Sequence, residues 1–311
     1  MARFFPLFIQ VSGANGPSRK PRLPERIGAT PGASWKGCDM KLMIATDMEG
    51  IGGIFTSDQT GKKIRRADEN YDSWQEARRL LTAEANAAVE GARQGGCDEV
   101  VVWDGHSSGS NFVIEDLHPD GEYIIGTGYR DWIPLDATYS GLALLGFHAM
   151  AGTPNGVLEH TQSYEDAFYS VNGVEMGEIG QAALLAGHFD IPVVFISSDD
   201  AGCAEAMRLL GEHIVAVSVK TGLAREGARL KAPQRCRELI RLGMTQAMSL
   251  VGRPETKPFK LDRPYHVVSE HFARRTHIQT DQELRDGRTR FITRSEWTTD
   301  SVPFLDIRHP G

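Results

Sequence analysis

Short runs of apolar residues alternate with longer segments in which apolar side chains recur every three or four positions. Lys41-Leu-Met-Ile-Ala-Thr46 opens the pattern as a buried strand. A polar segment from Thr56 to Asp72 follows and reads as a surface loop. Ser73-Trp-Gln-Glu76 has the spacing of a capping box, and Trp74, Ala77, Leu81, Ala85, Ala88 and Ala92 then form one helical stripe ended by Gly95-Gly96. Glu99-Val-Val-Val-Trp103 is a second buried strand. This β-loop-α-β order predicts a parallel sheet. Further strands are expected near 123–125, 138–147, 167–171, 191–197, 214–219 and 264–268, with a hairpin turn at Asn172-Gly173. Helices are expected over 181–186, 204–210 and 233–250, the last with Pro233 at its start. The fold class is therefore α/β, a mostly parallel central sheet flanked by helices.

The two ends of the chain break this pattern. Residues 1–39 are rich in Gly, Pro and basic residues and have no apolar period, so they are read as a disordered extension. The domain reading begins at Met40, which is expected to be the natural start; an intact mass of the natural protein beginning at Met1 would refute that. The catalytic domain is placed at 40–270. The tail, 271–311, has few apolar residues and is read as divergent and poorly structured.

With 41% hydrophobic and 24% charged residues, the composition is that of a globular domain, and the formal net charge of −7 argues against a nucleic-acid partner. No apolar run reaches membrane-spanning length. Cys38, Cys97, Cys203 and Cys236 are scattered without a C-x-x-C pair, which disfavours a disulfide framework or zinc knuckle and fits a reducing cytoplasm.

The chemistry gathers where strands end. Asp47 and Glu49 follow the first strand, two apart, so in extended backbone they point the same way. Asp104 and His106 follow the second strand; His148, His160 and Glu178 follow later strands or open a helix. The carboxyl edge of a parallel sheet is where open α/β folds place ligands. Mixed imidazoles and carboxylates there suit divalent metals, zinc above all, and a carboxylate can bridge two ions. Taken singly, each residue also has an ordinary structural reading: a hydrogen-bonded histidine, a capped turn, or a glutamate at a helix N-terminus. Asp199 and Asp200 are read as helix-capping residues, and His188, His213, His266 and His271 lie apart from the set.

Asp47-Met-Glu-Gly-Ile, Asp104-Gly-His-Ser, Gly146-Phe-His-Ala, Glu159-His-Thr and Gly177-Glu-Ile-Gly, in this order, resemble the zinc-dependent, DppA-like D-aminopeptidases of bacterial dipeptide-transport operons. The resemblance covers about residues 40–270. It implies a metallo-aminopeptidase holding two zinc ions per subunit, acting on short peptides that contain D-amino acids, and built as a homo-oligomer, a decamer enclosing a chamber. By motif, Asp47 would bridge both ions. Glu49 and His106 would complete one position, and His148 and Glu178 the other. His160 matches the residue with a catalytic role, as nucleophile or, beside a bridging hydroxide, as proton carrier or oxyanion stabiliser. Asp104 would orient a ligand, and Gly50 to Gly53 would let substrate approach the backbone. The N-terminal extension has no counterpart in the family, and the tail lacks the family's apolar helical segment. The same donors would also serve an amidase or esterase on another small substrate, or a metal-dependent binding protein without turnover.

Overall fold

A computed structural model describes residues 40–61, 71–127, 132–272 and 292–303. The extension expected over 1–39, and most of the tail beyond Phe272, lie outside the described residues.

The central sheet has seven strands in the order β3-β2-β1-β4-β7-β8-β9. These are β1 (Lys41–Thr46), β2 (Glu99–Asp104), β3 (Glu122–Ile124), β4 (Gly141–Leu145), β7 (Val193–Asp199), β8 (Val215–Ala224) and β9 (Gly227–Leu230). All neighbours pair in parallel except β9, which turns back antiparallel on β8. A second sheet is antiparallel, β11-β10-β5-β6, from β5 (Asp166–Val171), β6 (Val174–Glu175), β10 (Tyr265–Phe272) and β11 (Ile292–Thr299).

Alternation along the buried strands sorts two cores. Leu42, Ile44, Val100, Val102, Ala143 and Leu145 pack with α2 (Tyr71–Gln94) and α5 (Pro233–Met248) on one face. Met43, Ala45, Val101, Trp103, Leu142 and Leu144 pack on the other with α3 (Glu178–His188), α4 (Asp200–Leu210) and Val171 and Val267 of the second sheet. Strands covered on both faces read as unbroken apolar runs, so the sequence displays them plainly. The stripe expected on α2 is the face it buries, with Trp74 partly covered at its edge.

Some sequence expectations need correction. Ser73 lies inside α2 rather than capping it. Tyr71 and Trp74, three apart, set their rings 6.0 Å from each other, and Asp72 complements the positive end of the helix, so helical geometry is already established at Tyr71. The segment expected to be a surface loop contains α1 (Ser57–Thr60), whose Gln59 and Thr60 are buried. Gln59 Oε1 accepts from Phe55 N at 2.8 Å and its Nε2 donates to Gly53 O at 3.0 Å, which fastens the segment inward. In the tail, where the sequence analysis assigns no element, β11 pairs with β10 from Tyr265↔Thr299 to Phe272↔Ile292. Its described side chains are almost all exposed, so it carries no apolar signature.

The β1 and β4 ends that carry the site are laced together. Asp47 N donates to Leu145 O at 2.9 Å and Gly50 N to Gly146 O at 2.7 Å. A Cβ on Gly50 would lie 2.0 Å from Phe147 O, and one on Gly52 would lie 2.6 Å from Glu84 Oε1. Gly50 and Gly52 permit close packing within the protein.

Candidate metal centre

Asp47, Glu49, His106, His148, His160 and Glu178 come together at the carboxyl edge of β1, β2 and β4 and the N-terminus of α3, through short distances that link one to the next. Asp47 stands at the middle. Its Oδ1 lies 2.8 Å from His106 Nδ1, and its Oδ2 lies 3.3 Å from His148 Nε2. Glu49 Oε2 is 3.2 Å from His106 Nδ1, and Glu178 Oε1 is 3.4 Å from His148 Nε2. The two oxygens of one carboxylate thus face two different histidine–glutamate pairs. His160 stacks on His148 with ring centroids 3.9 Å apart and points Nε2 at Glu178 Oε1, 3.8 Å away.

Each histidine has one ring nitrogen tied to a backbone carbonyl. His106 Nε2 meets Thr60 O at 2.8 Å, His148 Nδ1 meets Ala149 O at 3.0 Å, and His160 Nδ1 meets Leu158 O at 2.9 Å. A carbonyl only accepts, so each of these nitrogens carries the proton and donates it. The opposite nitrogen, the one facing the carboxylates, is left to bind a proton or a metal, as orienting partners do in metal sites. Thr60 belongs to the segment expected to be a surface loop, and its role rests on a main-chain oxygen that no residue type announces. Leu158 and Gln162, at φ 53° and 58°, bend the backbone sharply on either side of His160. Gln162 N donates to Glu178 Oε1 at 2.8 Å.

The scaffold behind these residues is polar and tightly paired. Asp104 accepts from Asn111 N at 2.6 Å and Asn111 Nδ2 at 2.8 Å, and Asn111 Nδ2 also donates to His106 O at 2.7 Å. Asp104 therefore steadies the His106 main chain, by a direct main-chain hydrogen bond and through Asn111. Lys220 of β8 is wholly buried and donates to Glu49 O at 2.5 Å, Ile51 O at 2.9 Å and Ile54 O at 2.5 Å. Glu205 of α4 accepts from Met150 N at 2.7 Å and Gly177 N at 3.2 Å. Asp199, expected to cap α4, does so by accepting from Gly202 N at 2.7 Å, and it also accepts from Val157 N at 2.7 Å. Asp200 lies in the first turn of α4 and accepts from Gly222 N at 3.0 Å. His266 and His271 pair with Glu296 and Asp166, and His188 with Arg263.

The donors fit a metal. Glu49 Oε2 and His148 Nε2 are buried with no hydrogen-bond partner, although each lies near an oppositely polarised atom. Ligand atoms of Asp47, Glu49 and His148 fall within 4.8 Å of one another, as do those of His148, His160 and Glu178. Three carboxylates in a nearly water-free space require positive charge close by. Burial pushes His106 and His148 down, but Glu49, Glu178 and Asp47 outweigh it and hold both imidazoles well above the usual range. Asp47 is raised by burial yet held well below the usual carboxylate range by its bond to His106 and the nearby His148. Burial, and then the neighbouring His148, push His160 the other way, well below an ordinary imidazole.

A pH dependence follows. His106 and His148 keep protons through neutrality on the nitrogens that would bind metal, so an incoming cation has to displace them. Zinc affinity is expected to climb as pH rises toward the raised values of these imidazoles, with proton release on binding. In zinc-free protein the raised imidazoles stabilise the fold fully below about 6.5, and that contribution is lost as pH rises through their folded values. Calorimetric zinc titrations at about pH 6, 7 and 8 in buffers of differing ionisation enthalpy measure this; a pH-independent affinity would contradict it.

Residues 40–296 match the D-aminopeptidase family of peptidases. The chain is 34% identical over 237 residues to the D-aminopeptidase of Bacillus subtilis (strain 168), covering 75% of this chain and 82% of that one. Among solved structures it is similar to the Zn-dependent D-aminopeptidase DppA from Bacillus subtilis, described as a self-compartmentalizing protease. That likeness has a TM-score of 0.73 at 26% identity and covers 86% of this chain and 94% of the other. With its motifs gathered into one buried cluster at the carboxyl edge of a parallel sheet, the chain belongs to the D-aminopeptidase family.

Proposed function

We propose that this chain is a zinc-dependent D-aminopeptidase that removes N-terminal residues from short peptides containing D-amino acids. The observation that carries the reading is the placement of Asp47 between two histidine–glutamate pairs, one against each of its oxygens. Asp47, Glu49 and His106 would hold one zinc ion, and Asp47, His148 and Glu178 the second. Zinc, when bound, supplies Lewis-acid polarisation of the scissile carbonyl and an activated water.

The protein's own groups complete the reaction. Burial and His148 hold His160 well below an ordinary imidazole, and its Nδ1 proton is committed to Leu158 O. Its Nε2, which faces the cluster, takes a proton as attack occurs and returns it to the leaving amine. Leu158 O and the stacked face of His148 hold the ring in place for both transfers. The cluster's burial keeps bulk water out, which strengthens each polar contact inside. Assembly into a cytoplasmic homo-oligomer that encloses the site, a decamer as the family resemblance implies, would restrict entry to short peptides. The likeness to a self-compartmentalizing protease supports this.

Hydrolysis of D-Ala, L-Ala and N-acetyl-D-Ala p-nitroanilides, with zinc content measured on the same samples, tests the reading. Zinc-dependent release from D-Ala p-nitroanilide alone is expected. Equal release from the acetylated compound would remove the aminopeptidase assignment, and equal release from the L compound would remove the D preference.

A further inference from the structure

We infer that the two metal positions are fastened by separate anchors buried in the scaffold: Lys220 for the position built on Glu49 and His106, and Glu205 for the position built on His148 and Glu178. The inference rests on the two-metal reading given above. Lys220 has three N–H bonds and gives each to a carbonyl of one loop, Glu49 O, Ile51 O and Ile54 O. Burying an ammonium is unfavourable unless every donor is matched, and here all three are. Glu84 of α2 holds the same loop from another side, with Oε1 accepting from Gly52 N at 3.0 Å. Asp47 does not depend on this fastening, because its own N–H is bonded to Leu145 O in the sheet. The ligand whose backbone Lys220 fixes is Glu49.

Glu205 does the corresponding work across the cluster. Met150 lies two residues after His148, and Gly177 immediately precedes Glu178. One carboxylate, 5% exposed, accepts the main-chain N–H of both. A Cβ on Gly177 would lie 2.6 Å from Met150 Cβ, so the two segments are in direct contact where Glu205 joins them. The clamp sets the spacing between His148 and Glu178. Neither anchor touches a substrate or the reacting atoms, so both are positioning residues.

Separate anchoring predicts a double dissociation. Full-length protein carrying Glu178→Ala retains only the His106 position, and Glu49→Ala retains only the His148 position. Zinc affinity is measured by chelator-buffered titration after circular dichroism has established folding. In the Glu178→Ala background, Lys220→Met is expected to weaken zinc binding about 10–100-fold, while Glu205→Gln changes it within about twofold. In the Glu49→Ala background the two effects exchange. Where Lys220→Met does not fold, Glu84→Leu, which takes the acceptor from Gly52 N in the same loop, carries the same expectation. A merely structural role would weaken both positions alike, and that result, or no weakening at all, overturns the inference while leaving the two-metal reading intact. A wild type that binds a single zinc ion, or single-position variants that still bind two, overturns the two-metal reading and this inference with it.

Discussion

Asp47→Ala is expected to leave the protein without zinc and without measurable peptidase activity, a loss of at least about 10⁴-fold in kcat/KM. Asp47 faces both histidine–glutamate pairs: Oδ1 lies against His106 and Oδ2 against His148. Losing Glu49 or Glu178 removes a donor from one pair, whereas losing Asp47 removes one from each. The size follows from the loss of both Lewis acids, each worth several kcal/mol of transition-state charge stabilisation, at about 1.4 kcal/mol per tenfold in rate. Asp47→Asn separates charge from shape. Its amide oxygen can still accept from Met48 N, as Asp47 Oδ1 does at 2.9 Å, but its nitrogen cannot serve a second metal. This variant is expected to hold one zinc ion at most. Metal analysis of the purified variants is the measurement, and two zinc ions in Asp47→Ala would remove Asp47 from the centre of the site.

The second large effect belongs to His160. His160→Ala is expected to keep its zinc and lose about 10²–10⁴-fold in kcat, the usual contribution of a positioned proton carrier. Geometry makes the metal measurement decisive. His160, His148 and Glu178 present ligand atoms within 4.8 Å of one another, so the imidazole is near enough to be a ligand. A variant that drops to one zinc ion would place His160 in the coordination shell instead of in proton transfer. His160→Gln cannot carry a proton either, and is expected to match the alanine variant in rate.

Much of this centre was legible in the chain because parallel strands buried on both faces are spelled in unbroken apolar residues. Leu42 to Ala45 and Val100 to Trp103 announce themselves, and the polar residues just beyond them fall at the sheet's carboxyl edge. What stayed hidden works through main-chain atoms or through polar side chains of unremarkable type. The Thr60 carbonyl that orients His106, the Leu158 carbonyl that orients His160, and Asn111 beneath His106 have no spacing rule. Lys220 reads as one more strand lysine until the loop it gathers is seen around it. β11 was missed for the opposite reason to β1: its described side chains are mostly in solvent, and only hydrogen bonds to β10 make it a strand. The order of the elements was therefore easier to read than the hydrogen bonds that aim the ligands.

Lys220 has one more consequence, for what happens when the metal is taken away. The loop that presents Glu49 is wrapped around a positive charge that is part of the polypeptide and cannot be dialysed out. On the proposed two-metal reading, a chelator strips the exchangeable cations and leaves this tethered one in place, so the cage is expected to keep its shape. Inactivation by chelation is then expected to be a reversible withdrawal of cargo, undone by adding zinc.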